Sequence, residues 1–110
     1  MRLPNAVQAV VDIVKLRDYC LSVTHPRGRH KARKFSSSLG ISAVDAADLR
    51  DAILKAVRSA DAVETDADEF GRRLVVDFTL SYRGRTAAIR TAWIIRSGEG
   101  FPRLTSCYVL

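Results

Sequence analysis

Apolar side chains in the N-terminal half recur at intervals of three and four positions, the spacing that gives a helix one buried stripe. The pattern predicts three helices, over residues 12–22, 29–39 and 42–59. Asp12 can cap the first helix, and Gly40 can end the second. The predicted stripes are Ile13, Leu16, Tyr19 and Cys20; Ala32, Phe35 and Leu39; and Ala46, Leu49, Ile53, Ala56 and Val57.

Beyond residue 60 the period changes to two, which is typical of strands with one buried face. Strands are predicted over residues 62–66, 74–82, 86–96 and 103–109, with a hairpin turn at Arg83-Gly84-Arg85. The predicted fold class is α+β, with two to three N-terminal helices packed on one face of an antiparallel meander of about four strands.

Length and composition are those of a small globular protein. Of 110 residues, 47% are apolar and 27% are charged, so one core suffices and disorder is excluded. A single domain is expected over residues 1–110, helical over about 12–60 and with its sheet over about 61–110. No apolar run reaches the roughly 20 residues of a membrane span, and the first residues resemble no secretory signal. We therefore expect a cytoplasmic protein whose Cys20 and Cys107 are reduced and buried.

Charged residues are segregated along the chain, whose formal net charge is +6. Residues 1–40 carry eight basic and two acidic side chains, residues 41–70 three and eight, and residues 71–110 seven and two. The densest stretch, residues 27–34, holds five cations and His30. Such a block favours a polyanionic partner, RNA or an acidic protein, although a solvated helix start is the alternative interpretation.

Several kinds of site are missing from the sequence. The six glycines are scattered through turns, so there is no phosphate-binding loop and no dinucleotide motif. His25 and His30 have no neighbouring Cys, Asp or Glu to complete a zinc site, and His25 is interpreted as a turn residue. The acidic stretch over residues 64–69 is predicted to be an exposed loop without EF-hand spacing. No metal or cofactor is predicted.

Residues 25–40 read His-Pro-x-Gly-x-x-Lys-Ala-x-x-Phe-x-x-x-Leu-Gly, a string that resembles a small, uncharacterised bacterial domain family. The strings Arg90-Thr-Ala-Trp93-Ile and Pro102-Arg-Leu104 resemble the C-terminal sheet signature of the same family. The resemblance covers nearly the whole chain and implies no established activity. Ser106 stands where the family has Thr, which keeps a hydroxyl, and Val109 stands where Pro is expected.

The layout of helices followed by a four-stranded antiparallel meander is similar to the superfamily of barnase, EndoU and RelE. This resemblance implies a metal-independent ribonuclease of toxin type, with a small acidic neutralising protein as its partner. Architecture alone does not fix function, and the Glu-plus-His pair of barnase is absent here.

Cleaving RNA without a metal requires a base for the 2′-hydroxyl proton, an acid for the leaving oxygen and cations at the phosphate. The candidate catalytic residues are His30, Lys31, Arg90, Ser106 and Tyr108. The candidate phosphate-binding residues are Arg27, Arg29, Lys34 and Arg103. Arg90 and Arg103 are expected on neighbouring strands, where both could grip phosphate, and Asp77 is the expected structural partner of Arg90. The leading hypothesis is an endoribonuclease that leaves a 2′,3′-cyclic phosphate.

Other functions stay open. The cationic blocks also fit a non-catalytic module that binds nucleic acid or an acidic protein. The acidic middle block could instead pair with a basic block of another copy. Among the candidates, His30 has the alternative interpretation of an exposed helix residue, and Lys31 that of a stem covering Phe35. Thr91 is interpreted as a buried, hydrogen-bonded hydroxyl.

Overall fold

The structure is a computed structural model that describes all residues, 1–110. The helices are α1 (Ile13–Lys15), which continues as a π-helical turn over Leu16–Cys20, α2 (Arg29–Leu39) and α3 (Ala46–Ala56); short 3-10 turns occupy Ala6–Gln8 and Ala43–Asp45. The strands are β1 (Ala62–Asp68), β2 (Gly71–Tyr82), β3 (Arg85–Arg96) and β4 (Arg103–Val109). They form one antiparallel sheet in the order β1-β2-β3-β4. The predicted α+β fold class is confirmed.

The helical stripes meet the inward positions of the sheet in one hydrophobic core. Trp93 is almost fully buried there. The Thr91 hydroxyl donates to the Val76 carbonyl oxygen at 2.7 Å and accepts the indole N–H of Trp93 at 2.8 Å. The predicted role of Thr91 as a buried, hydrogen-bonded hydroxyl is confirmed. None of the helices has the length and apolar character needed to cross a membrane.

A tight turn leads into α2. His25 Nδ1 accepts the backbone N–H groups of Arg27 and Gly28, each at 3.0 Å, and its ring meets Tyr19 edge-on. A β-carbon on Gly28 would collide with the carbonyl oxygen of Tyr19, so only glycine fits. His25 is a turn residue, as predicted, and the predicted C-cap Gly40 ends α2 with a φ of 66°.

The β2–β3 hairpin sets the register of the sheet centre. Arg83 and Gly84 both have positive φ, 49° and 82°, which identifies a two-residue turn of the type that matches strand twist. The turn places Tyr82 opposite Arg85 and consequently Asp77 opposite Arg90.

The acidic stretch over residues 64–69 is strand as far as Asp68, so the strand predicted over residues 62–66 is longer than expected and the predicted exposed loop is wrong. Three of its four carboxylates, those of Glu64, Asp66 and Asp68, lie on the exposed edge strand β1. Arg72 Nε donates to Glu64 at 2.6 Å, while Arg73 pairs with Asp66 and Asp68. A block of negative charge in the linear sequence is thus partly neutralised by two arginines of the paired strand β2.

Candidate functional site

Two rows of side chains cross the outer face of the sheet, the face turned away from the helices. In the first row Asp77, Arg90 and Tyr108 lie opposite one another on β2, β3 and β4. The second row consists of Val63, Val75, Ala92 and Ser106. Neighbouring strands lie about 4.8 Å apart, so a row of four residues spans about 14 Å. The outer face therefore presents a charged row beside a row of small side chains.

Arg90 occupies the middle of the charged row. Its Nε and Nη2 donate to the two carboxylate oxygens of Asp77 at 2.9 and 2.8 Å. These bonds lower the pKa of Asp77 and, with a contact to the Tyr108 hydroxyl, raise that of Arg90. The expected pairing of Arg90 with Asp77 is confirmed, and the fork-like contact fixes the plane of the guanidinium.

Lys31 reaches the sheet from α2 at the edge strand β4. Its Nζ lies 3.2 Å from Ser106 Oγ and 5.0 Å from the centroid of the Tyr108 ring. The half-buried side chain thus ends on β4. Lys31, Arg90, Ser106 and Tyr108 form one group, which we call the edge cluster.

His30 lies apart from the edge cluster. It is exposed on α2 and makes no side-chain hydrogen bond. Successive helix residues point about 100° apart, so His30 and Lys31 face different directions. The structure brings four of the five candidate catalytic residues together, and His30 is the one left outside.

The cations of residues 27–34 have no ion pair with any carboxylate. The chain contains no acidic residue between Asp18 and Asp45, so α2 and its flanks are acid-free. Ion pairs lie elsewhere, namely Arg17–Asp18, Arg50–Asp51, Arg72–Glu64, Arg73–Asp66, Arg73–Asp68, Arg83–Asp45, Arg90–Asp77 and Arg103–Glu99. The cations include Arg29 and Lys31 in the first turn of α2, where the helix dipole disfavours positive charge. A bound anion would offset both the repulsion among these cations and their unfavourable interaction with the helix dipole.

Arg103 is not part of the edge cluster. Its guanidinium makes two bonds to Glu99, at 3.0 and 2.9 Å, and packs over the Phe101 ring. Arg103 lies opposite Ile94, four residues along β3 from Arg90, a separation of about 13 Å. The structure therefore does not bring Arg90 and Arg103 to one phosphate, as the sequence led us to expect.

The outer face also holds residues that the sequence did not single out. A shallow depression of about 400 Å³ is lined by Asp61, Val63, Thr65, Val75, Asp77 and Arg90. Val63 and Val75 form part of its floor beside the Arg90–Asp77 pair. Alternation marks these residues as outward-facing, but only the register of β1 on β2 places them next to Arg90.

Cys20 and Cys107 are both fully buried and free. Hydrogen bonding to the Cys20 thiol and burial raise the pKa of Cys107. The expectation of buried, reduced cysteines agrees with this arrangement. No three His, Cys, Asp or Glu side chains converge into a group that could ligate a metal ion.

Fold and site thus describe a small α+β protein with an acid-free cationic helix at one edge of its sheet. The sequence model of a family described as a domain of unknown function, DUF6883, matches residues 2–110. The chain belongs to this family, which confirms the expected membership of an uncharacterised family. No curated protein and no solved structure matches the chain. The expected similarity to barnase, EndoU and RelE is not confirmed by these comparisons.

Proposed function

We propose that this protein binds RNA through α2 and cleaves it, without a metal ion, at the edge cluster. The observation that carries the proposal is the position of Lys31. This residue belongs both to the cations of residues 27–34 and to the group that contains Arg90, Ser106 and Tyr108. A phosphate contacting Lys31 is consequently continuous with a phosphate backbone lying along α2.

The charge of α2 supports the binding step. Arg27, Arg29 and Lys34 are exposed and unpaired, so they can exchange counterions for phosphates, which drives most nonspecific nucleic-acid binding. The Ser106 hydroxyl and the Tyr108 ring of the edge cluster suit a flexible single strand, whose bases can stack on aromatic side chains.

The edge cluster supports the chemical step. In the proposed reaction the 2′-hydroxyl oxygen attacks the adjacent phosphorus, and its proton passes to a base. The bond from phosphorus to the 5′-oxygen breaks, and an acid protonates that oxygen. The products are a 2′,3′-cyclic phosphate and a 5′-hydroxyl. Lys31 and Arg90 stabilise the charge that grows on the phosphate oxygens.

Proton transfer falls to Tyr108 or His30. Tyr108 lies in the cluster, with its ring 5.0 Å from Lys31 Nζ, and Ser106 can orient the attacking hydroxyl. His30 lies outside, and it acts only if the RNA crosses the first turn of α2. The variants Tyr108→Phe and His30→Ala distinguish the two, since loss of a proton-transfer group costs about 10²- to 10⁴-fold in rate.

The proposal is tested by incubating the protein with total RNA in excess chelator and mapping the 3′ ends. We expect cyclic phosphate ends and a loss of about 10²-fold in rate for Lys31→Ala and for Arg90→Lys. Lys55→Ala is the matched control, because Lys55 is an exposed, unpaired cation on α3. Wild-type protein that leaves the RNA intact would contradict the catalytic step.

A non-catalytic RNA-binding module is the second candidate. It is favoured by the Arg90 guanidinium, which already has both oxygens of Asp77 as partners. Its signature is salt-sensitive RNA binding without cleavage.

For the toxin type of this activity, the partner is a small acidic protein that covers α2. Overexpression then arrests growth of a bacterial host, and the double variant Lys31→Ala/Arg90→Lys restores it. Growth arrest that persists in the double variant would contradict this role.

A further inference from the structure

A second cationic group lies at the start of β4. Lys15, Arg96 and Arg103 line a small depression of about 110 Å³, together with Val10, Asp12 and Leu104. Val10 forms a bridge to Arg103, and its backbone exchanges hydrogen bonds of 2.9 Å with Pro102 and Leu104. The N-terminal segment and α1 thereby build this depression against the edge of the sheet.

The two carboxylates near this depression are already engaged. Glu99 binds the Arg103 guanidinium through both oxygens, and Asp12 accepts the N–H of Val14 at 2.9 Å as the cap of α1. Lys15 and Arg96 have no ion pair. Three cations therefore face two committed carboxylates, which leaves a small cavity with an excess of positive charge.

This depression and the edge cluster lie along the same strand edge. Arg103 and Tyr108 are five residues apart on β4, a separation of about 16 Å. Lys31 contacts Ser106 on β4, and Lys15 lines the depression beside Arg103, three residues before Ser106 on the same strand. A positive track thus runs from Lys31 to Arg96.

The geometry points to a second phosphate site in the depression formed by Lys15, Arg96 and Arg103, which holds the same RNA strand whose scissile phosphate lies at the edge cluster. The inference rests on the proposed function. A stacked strand advances about 3.4 Å per nucleotide, so the two sites are about five nucleotides apart. The substrate class is accordingly single-stranded RNA long enough to occupy both sites.

Binding of labelled 2′-O-methyl oligonucleotides tests this inference, because they lack the nucleophilic hydroxyl and are not cleaved. Affinity is measured by fluorescence anisotropy at several salt concentrations, with a dinucleotide and with a strand of about eight nucleotides. The variant Lys15→Gln/Arg96→Gln leaves Arg103 with its Glu99 partner. Lys55→Gln/Arg58→Gln removes the same charge from α3 and the turn after it.

For the longer strand we expect the first variant to bind about tenfold more weakly. Its plot of log affinity against log salt loses about 0.7 in slope for each phosphate contact removed. The dinucleotide binds both variants like wild type, and the control variant loses less than threefold. Two outcomes would overturn the second site while RNA binding stands. One is an equal loss of affinity for the longer strand in the two variants, and the other is an equal loss of affinity for the dinucleotide and the longer strand in the first variant. A wild-type protein that binds neither strand overturns the proposed function itself.

Discussion

Lys31 Nζ lies 3.2 Å from Ser106 Oγ, although 75 residues separate the two along the chain. The contact links the first turn of α2, a helix with no acidic residue, to the edge strand β4 of the sheet. Because an ammonium has three donors, Lys31 keeps donors free for a ligand while Ser106 holds it. Because of this contact, α2 and β4 contribute to one continuous surface.

Asp77→Asn is the first prediction. The carboxylate holds the Arg90 guanidinium with two bonds, and the amide can accept only through one oxygen. Misplacement of a reacting group by about 1 Å can cost 10²-fold in rate. We expect kcat for RNA cleavage to fall by about that factor while KM changes less than threefold, which identifies Asp77 as a positioning residue.

Asp61→Asn is the matched control for Asp77→Asn. Asp61 lines the same depression but has no ion pair. We expect its kcat to stay within twofold of wild type, and partial recovery of kcat in Asp77→Glu. Equal losses of kcat in the two asparagine variants would contradict a positioning role for Asp77.

The second prediction separates the two histidines. His25→Ala removes the acceptor of the Arg27 and Gly28 backbone N–H groups at the start of α2. Gly28 is buried, and leaving its donor without a partner costs about 1–3 kcal/mol. His30→Ala removes an exposed side chain and changes the free energy of unfolding by less than about 0.5 kcal/mol. Urea denaturation measures both. An equal decrease in the free energy of unfolding in His30→Ala and His25→Ala would contradict this prediction.

These positions show what the sequence could foresee about the fold. Gly28, Gly40 and the turn residue His25 act within one local segment, so local patterns predict them. Pairing of Asp77 with Arg90 follows from counting back from the Arg83–Gly84 turn. Nothing equally local fixes the partners of β4, where a bulge shifts the register between Ala92 and Trp93.

The candidate site was accordingly foreseeable only in part. The residue types of the edge cluster could be selected from the sequence. His30 lies outside the cluster because of the orientation of α2, and Arg103 lies outside it because its guanidinium binds Glu99. The acid-free character of α2 is visible in the sequence. That its cations lack long-range partners is a property of the folded chain, because Arg72 and Arg73 pair with all three carboxylates of β1.

Gly28→Ala is the third prediction. The added methyl group collides with the backbone carbonyl of Tyr19, which cannot move as a side chain would, so we expect a loss of about 1–3 kcal/mol. Gly100→Ala is the control, since a β-carbon there meets nothing within 4 Å. Thermal denaturation of the two variants checks the difference. Equal midpoints would show that the turn before α2 is not closely packed.

The fourth prediction concerns alkaline pH. The Tyr82 hydroxyl lies 2.8 Å from Asp48 Oδ2 and 3.1 Å from Asp45 Oδ1. Hydrogen bonding to Asp48, burial and then the bond to Asp45 raise the pKa of Tyr82 to about 12, from an ordinary value of 10.0. Since the folded pKa lies above the unfolded one, the stabilisation is complete below pH 10 and is lost as the pH rises towards 12.

The difference in free energy of unfolding between wild type and Tyr82→Phe should therefore shrink across that interval. Urea denaturation of both proteins at matched pH measures it, with the other titrating groups common to both. A difference that stays constant from pH 8 to pH 12 would contradict the assigned role of the Asp45 and Asp48 carboxylates.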